Sequence, residues 1–172
     1  MRLNLREIIE IPGGSVPFSQ ELDTALLDFP SVRAYTAPIT AEGKVVNTAG
    51  ILTLQGRLHA QMLCVCDRCG AEFPRTVDLD LHADITADAQ DDDPEVFTLD
   101  GDWLDVDEVL STCFILSMDT KCLCRPDCAG LCDRCGANLN LGPCRCQKPR
   151  DPRMAVLEQL LDNKTDEEEE AA

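Results

Sequence analysis

No run of 18 apolar residues occurs in this 172-residue chain, which excludes a helical membrane span of ordinary length. The opening stretch MRLNLREIIEI carries charge at Arg2, Arg6, Glu7 and Glu10, so it lacks the apolar centre of a secretory signal. Without an export signal the expected location is cytoplasmic, and that compartment is reducing. Cysteines there serve as metal ligands or free thiols rather than as disulfides. The odd total of 11 would in any case leave one unbridged. Aromatics are few (five Phe, one Trp, one Tyr) and there are only two histidines. The length suits one ordinary domain with a small appendage, and an apolar fraction of 44% supports a real core.

Basic residues are scarce. Fifteen Lys and Arg stand against 32 Asp and Glu, a net charge of −17, which argues against a protein that coats nucleic acid with its whole surface. The scarcity is uneven. Residues 76–120 hold 14 acids and no Lys or Arg, whereas residues 121–153 hold seven bases and three acids. This second stretch is the one basic island, and it is also where the cysteines crowd. The acidic run 78–108 reads as a solvated face, with docking of a basic partner as the alternative.

Alternation of apolar and polar residues predicts two long strands. In LTLQGRLHAQMLC, Leu52, Leu54, Leu58, Ala60, Met62 and Cys64 share one face. Gly56 interrupts that face and suggests a bend or bulge. From Phe73 to Ile85, Val77, Leu79, Leu81, Ala83 and Ile85 share a face. The two strands form a hairpin whose tip, CDRCGA, carries two thiols. Shorter strands are expected near Leu3–Ile9, Val32–Thr40 and Lys44–Thr48, and an acidic loop at Gln90–Asp93. Val106, Val109, Leu110, Cys113 and Phe114 recur at helical spacing behind Asp105 and Glu108, which resemble a capping box. A second helix is expected from Asp151-Pro152, with Met154, Leu157, Leu160 and Leu161 as its stripe.

The expected fold is therefore α+β: a twisted antiparallel β-sheet, able to close into a barrel-like form, with one packed helix and a zinc-bound C-terminal subdomain. Its expected divisions are a β-rich domain over 1–120 with a helix near 105–118, and a cysteine-rich zinc-binding segment over 121–150. A C-terminal helix over 151–162 and a disordered acidic tail over 163–172 follow.

Seven cysteines lie between Lys121 and Gln147, at 122, 124, 128, 132, 135, 144 and 146. Cys132 and Cys135 with Gly136 form a knuckle, a tight turn that aims two sulfurs and nearby amides at one metal. Cys144 and Cys146 supply a second close pair, so four thiolates around zinc are expected. CDRCGA occurs at both 66–71 and 132–137, which makes Cys66 and Cys69 a further candidate pair. Setting Cys64, Cys113 and Cys122 aside leaves eight thiols, enough for two sites or for one with spares. The first knuckle could join the second, or join Cys124 and Cys128. Cys64 and Cys113 read as core packing. His59 and His82 lie on the polar faces of their strands and read as solvent-facing.

Catalysis is not expected. Thioredoxin-like CxxC pairs open a helix after a strand, and neither knuckle has that context. Catalytic zinc keeps an open position, usually with His or carboxylate among its ligands, and neither histidine lies in the cluster.

The chain resembles the YceD family, named for large ribosomal RNA subunit accumulation. The resemblance rests on Cys66-Asp67-Arg68-Cys69 followed by Phe73, and on Leu104-Asp105 opening a helix that reaches Leu116. It continues through CRPDCAGLCDRCGANLN at 124–140, Cys144-Arg145-Cys146, and Asp151-Pro152-Arg153 with its closing helix. It spans roughly residues 45–161. Cys64 and Cys122 fall outside the family pattern, and Gly70 stands where many members have Leu. Some members lack the second cysteine cluster, so metal does not serve the family's common function. The resemblance implies a non-enzymatic accessory factor in making or stabilising large-subunit rRNA, acting beside a ribosomal protein.

On that reading Arg125, Arg134, Arg145, Lys148, Arg150 and Arg153 are the candidates for rRNA phosphates. The expected partner is the large-subunit precursor, as rRNA or as a basic ribosomal protein. The alternative is a zinc-stapled interaction module that binds such a protein without touching RNA.

Overall fold

A computed structural model of the chain describes residues 1–86 and 96–146. The expected acidic loop at 90–93, the C-terminal helix over 151–162, the tail, and Lys148, Arg150 and Arg153 lie outside the described residues. The chain divides into two compact units, Met1–Cys128 and Ala129–Ala172.

The first unit is built on the predicted hairpin. Strands β5 (Ile51–Val65) and β6 (Glu72–Thr86) pair antiparallel, from Leu52 opposite Ile85 to Val65 opposite Glu72. Strand β4 (Ile39–Thr48) pairs with β5, and β2 (Ser15–Leu22) pairs with β4. Strand β3 (Val32–Tyr35) pairs with the far end of β5. Strand β7 (Val96–Thr98) joins β6 in parallel. The sheet is thus mixed, in the order β2-β4-β5-β6-β7 with β3 beside β5. Among the described residues it does not close into a barrel, because no ladder joins β2 to β7. A separate small sheet pairs β1 (Arg2–Asn4) with β8 (Trp103–Asp105).

Several local expectations change. The stretch Leu3–Ile9 is not one strand. Asn4 Oδ1 accepts the Arg6 N–H at 3.0 Å, and the chain turns into a short helix, α1 (Arg6–Ile9). Val32–Thr40 also divides, with β3 ending at Tyr35 and β4 starting at Ile39, after Pro38. Gly56 makes no bulge. It faces Gly43 in unbroken register, and a Cβ on Gly56 would sit 2.3 Å from the Glu42 carbonyl. The glycine pair therefore answers a close backbone approach. Strand β2 buries or half-buries alternate residues, Val16, Phe18, Gln20 and Leu22, and its sequence hides this because Gln20 stands on the inward face and Pro17 on the outer one.

One face of the sheet is dry. Leu54, Leu58, Met62, Leu81 and Ile85 pack there with Phe18, Val45 and the one long helix among the described residues, α2 (Val106–Ser117). That helix presents Val106, Val109, Leu110 and Phe114, each at most 1% exposed. Its Asp105 cap accepts the Asp107 N–H. Phe29 stacks edge-on against Phe114, with ring centroids 5.9 Å apart. Asn47 is the main polar exception in this core. Its Nδ2 donates to the Ile8 and Ile9 carbonyls at 2.7 and 2.9 Å, and its Oδ1 accepts the Gly50 N–H at 2.8 Å. One side chain thus closes the end of α1 and holds the Ala49-Gly50 turn, where both residues take positive φ.

The second unit is described over residues 129–146. A bridge between Leu131 and Asn138 and a single 3-10 turn at Leu139–Leu141 organise it. Asn138 Oδ1 accepts from the Asn140 N–H, and Asn140 Oδ1 accepts the Ala129 N–H at 2.8 Å. Among the described residues of this unit few apolar side chains are buried.

Candidate metal centres

The hairpin tip builds the first centre. The Cys66 N–H donates to the Ala71 carbonyl at 2.9 Å, and the Gly70 N–H donates to the Cys66 carbonyl at 2.8 Å. Gly70 sits at φ 68°, which a Cβ would strain. This turn directs Cys66 and Cys69 toward Cys124 and Cys128, which arrive on the segment after α2. All four sulfurs lie within 4.8 Å of one another. Cys66 and Cys128 stand 3.8 Å apart, as do Cys69 and Cys124. A tetrahedral ion with four Zn–S bonds of ~2.3 Å needs sulfurs about 3.8 Å apart, so the cluster fits that geometry.

Three bonds strap the second ligand pair to the tip. The Asp67 N–H donates to the Cys122 carbonyl at 2.9 Å, and the Cys122 N–H donates to Asp67 Oδ2 at 2.6 Å. Arg68 Nη1 donates to the Cys128 carbonyl at 3.0 Å. Farther back, Arg75 donates to Asp119 at 2.6 Å and approaches the Cys122 sulfur at 3.8 Å. Phe73 and Leu123 pack against the buried cysteines. Burial pushes the Cys66 thiol up, but amides of Cys124, Cys69 and Arg68 aimed at its sulfur outweigh this and bring it to about 6. Burial pushes Cys124 up to about 12, helped by the neighbouring sulfurs. A cation at the centre would relieve that crowding of negative charge.

The second centre repeats the turn. The Cys132 N–H donates to the Ala137 carbonyl at 2.8 Å, the Gly136 N–H donates to the Cys132 carbonyl at 2.9 Å, and Gly136 has φ 69°. Cys132, Cys135, Cys144 and Cys146 bring their sulfurs within 4.8 Å, with Cys144 and Cys132 3.4 Å apart. Amides of Cys135 and Arg134 hold the Cys132 thiol down at about 7. Cys146 rises to about 12 through its contact with the Cys135 sulfur and then through burial. This centre is more open, and Cys135 is exposed.

The eight candidate ligands thus fall into two sets of four, and the first knuckle joins Cys124 and Cys128 rather than the second knuckle. Cys64, Cys113 and Cys122 belong to neither set. Cys64 and Cys122 are buried, with burial and the Cys122 sulfur pushing the Cys64 thiol up to about 11. Among the described residues each set consists of four cysteines, a group of soft donors that suits a tetrahedral ion. Both sets could hold a metal ion.

The described basic candidates each adjoin a cluster cysteine in sequence. Arg134 and Arg145 are exposed, and Arg125 pairs with Asp127 at 3.5 Å. On the outer face of the sheet His59 Nδ1 meets Asp78 at 2.6 Å and Arg57 meets Asp80 at 3.2 Å, all exposed. No helix among the described residues is long and apolar enough to cross a membrane.

Comparison with known proteins places these features in a family. The family model described as large ribosomal RNA subunit accumulation protein YceD matches residues 54–161. Uncharacterized proteins of Mycobacterium tuberculosis and Mycobacterium bovis are 28% identical over 122 residues, covering 68% of this chain and 58% of theirs. A Zea mays protein named chloroplastic large ribosomal RNA subunit accumulation protein YCED homolog 1 is 24% identical over 147 residues, covering 66% of this chain and 50% of its own. The chain thus spans only about half of the length of these relatives, or somewhat more. No solved structure matches it significantly. The family match covers both knuckles, the long hairpin and α2, and on it the chain belongs to the YceD family of large ribosomal RNA subunit accumulation proteins.

Proposed function

We propose that the chain is a zinc-stapled, non-enzymatic accessory factor in ribosome biogenesis that supports accumulation or processing of large-subunit rRNA. The observation that carries the metal half is the pair of closed four-cysteine clusters. Structural zinc supplies roughly 10–16 kcal/mol toward folding such segments, which suits a second unit whose described residues bury few apolar side chains. The family description supports the ribosomal half.

Zinc at the second cluster fixes the segment that carries Arg145 and leads to Lys148, Arg150 and Arg153. These are the residues for rRNA phosphates, where Arg and Lys contacts give affinity that falls steeply with salt. Arg125 already serves Asp127. Arg134 neighbours the Asp133 carboxylate, which repels phosphate. The acidic outer face of the hairpin keeps RNA to the basic segment or meets a basic ribosomal protein.

Crosslinking in growing cells, followed by sequencing of the bound RNA at two salt concentrations, tests this. Large-subunit rRNA should be recovered, with recovery falling at high salt and in an Arg145→Glu/Arg150→Glu/Arg153→Glu variant. Recovery unchanged by that variant sinks the RNA contact. Recovery that depends wholly on ribosomal proteins being present favours the protein-binding alternative.

A further inference from the structure

The hexapeptide CDRCGA folds alike at 66–71 and 132–137, down to the two turn hydrogen bonds and the positive φ of its glycine. The copies differ in what their Asp and Arg do. At the first, Asp67 exchanges two hydrogen bonds with the backbone of Cys122, and Arg68 donates to the Cys128 carbonyl. The tip therefore grips a passing segment through its backbone groups, which any sequence of the right conformation could offer. At the second, Asp133 and Arg134 are both exposed. Among the described residues, the one hydrogen bond to either side chain comes from the adjoining Cys132 thiol, at 3.8 Å to Asp133.

The second ligand pair is also spaced differently. Cys124 and Cys128 are separated by three residues, and their strap passes Asp67 at Cys122 and Arg68 at Cys128. Cys144 and Cys146 are separated by one, and this shorter strap makes neither bond. Among the described residues, the second tip keeps the gripping residues without a segment to grip.

We propose that the Asp133–Arg134 tip is a docking site for an extended polypeptide segment of a basic partner protein, held through its backbone as the first tip holds Cys122–Cys128. The Asp133 carboxylate accepts an amide N–H, its own N–H donates to the same residue's carbonyl, and Arg134 donates to a carbonyl further along. Nucleic acid suits the tip less well. A phosphate offers no N–H to the carboxylate and is repelled by it. The tip itself stands in the basic stretch 121–153, but the chain's net charge of −17 draws a basic polypeptide over distance. This proposal goes beyond the RNA reading, which rests on Arg145 and the residues after it, so the two can fail separately.

The test is an amide NMR titration of the full, zinc-loaded chain. The probe is a peptide copying residues 120–128 with serine at its three cysteine positions. The covalently attached strap keeps the first tip occupied through its high effective concentration. Saturable shifts are expected at the amides of Asp133, Arg134 and Gly136. Asp133→Ala and Arg134→Ala should each weaken binding roughly tenfold, with the zinc content unchanged. The proposal is overturned if these amides do not move, or if neither substitution weakens the response. It is equally overturned if an rRNA oligonucleotide saturates the same amides and the peptide does not, or if cross-peaks already place residues 147–172 on the tip.

Discussion

Asp67 and Cys122 hold each other at both ends of one short ring: the Asp67 N–H donates to the Cys122 carbonyl at 2.9 Å, and the Cys122 N–H donates to the Asp67 carboxylate at 2.6 Å. The two residues are 55 apart in the chain, and their bonding sets where Cys124 and Cys128 meet the hairpin tip. Asp67→Ala leaves the Cys122 amide without its partner at a residue only 1% exposed, which costs roughly 1–3 kcal/mol. Chelator competition should show weaker metal binding at the first cluster and no change at the second.

The division of cysteines predicts a metal count. Wild-type protein purified with zinc should hold two ions per chain, one for each cluster. Cys69→Ser and Cys135→Ser should each reduce the count to one. Cys113→Ser should leave it at two, because Cys113 belongs to neither set. Elemental analysis against protein concentration reads all three.

Acid should release the two metals in sequence. Protons compete with metal for thiolates. In the metal-free fold Cys66 sits at about 6 and Cys132 at about 7, both below the ordinary 9.0. For a depressed group the stabilisation is full above the ordinary value and is lost as pH falls through the folded value. The second cluster is more exposed and its lowest thiol protonates first, so its metal should leave at the higher pH. A chromophoric chelator followed from pH 8 downward should show two steps, and Cys132→Ser should abolish the earlier one.

Asn47 should be the costliest polar side chain of the core to lose. Asn47→Ala strands the Ile8 and Ile9 carbonyls and the Gly50 N–H at once. Urea unfolding of the zinc-loaded protein should show a loss of roughly 2–4 kcal/mol. Ala49 stands at φ 54° in the adjoining turn, so Ala49→Gly or Ala49→Asn should stabilise by roughly 1 kcal/mol.

The parts legible in the sequence are those set by local periodicity. The 52–64 and 73–85 alternations lie within β5 and β6, and the stripe from Val106 to Phe114 lies on α2. The repeated hexapeptide announced two equal turns because Gly70 and Gly136 encode them locally. Long-range pairing was not legible. Strand β2 alternates in burial but not in residue type, since Gln20 faces inward and Pro17 outward, and its ladder to β4 sets it; α1 forms because Asn4 and Asn47 satisfy its ends. The open edges of the sheet depend on where β2 and β7 stop, which no local pattern encodes. The sharing of eight thiols between two centres was equally hidden. It depends on the Asp67–Cys122 and Arg68–Cys128 bonds across the fold, and spacing alone left the pairing open.

The most direct measurement is zinc K-edge X-ray absorption on the purified chain, taken with its metal content. Two closed four-thiolate centres predict two zinc ions per chain, each with four sulfur neighbours at ~2.3 Å and no nitrogen or oxygen in the shell. A single ion per chain, or a shell that mixes sulfur with light atoms, would contradict the account.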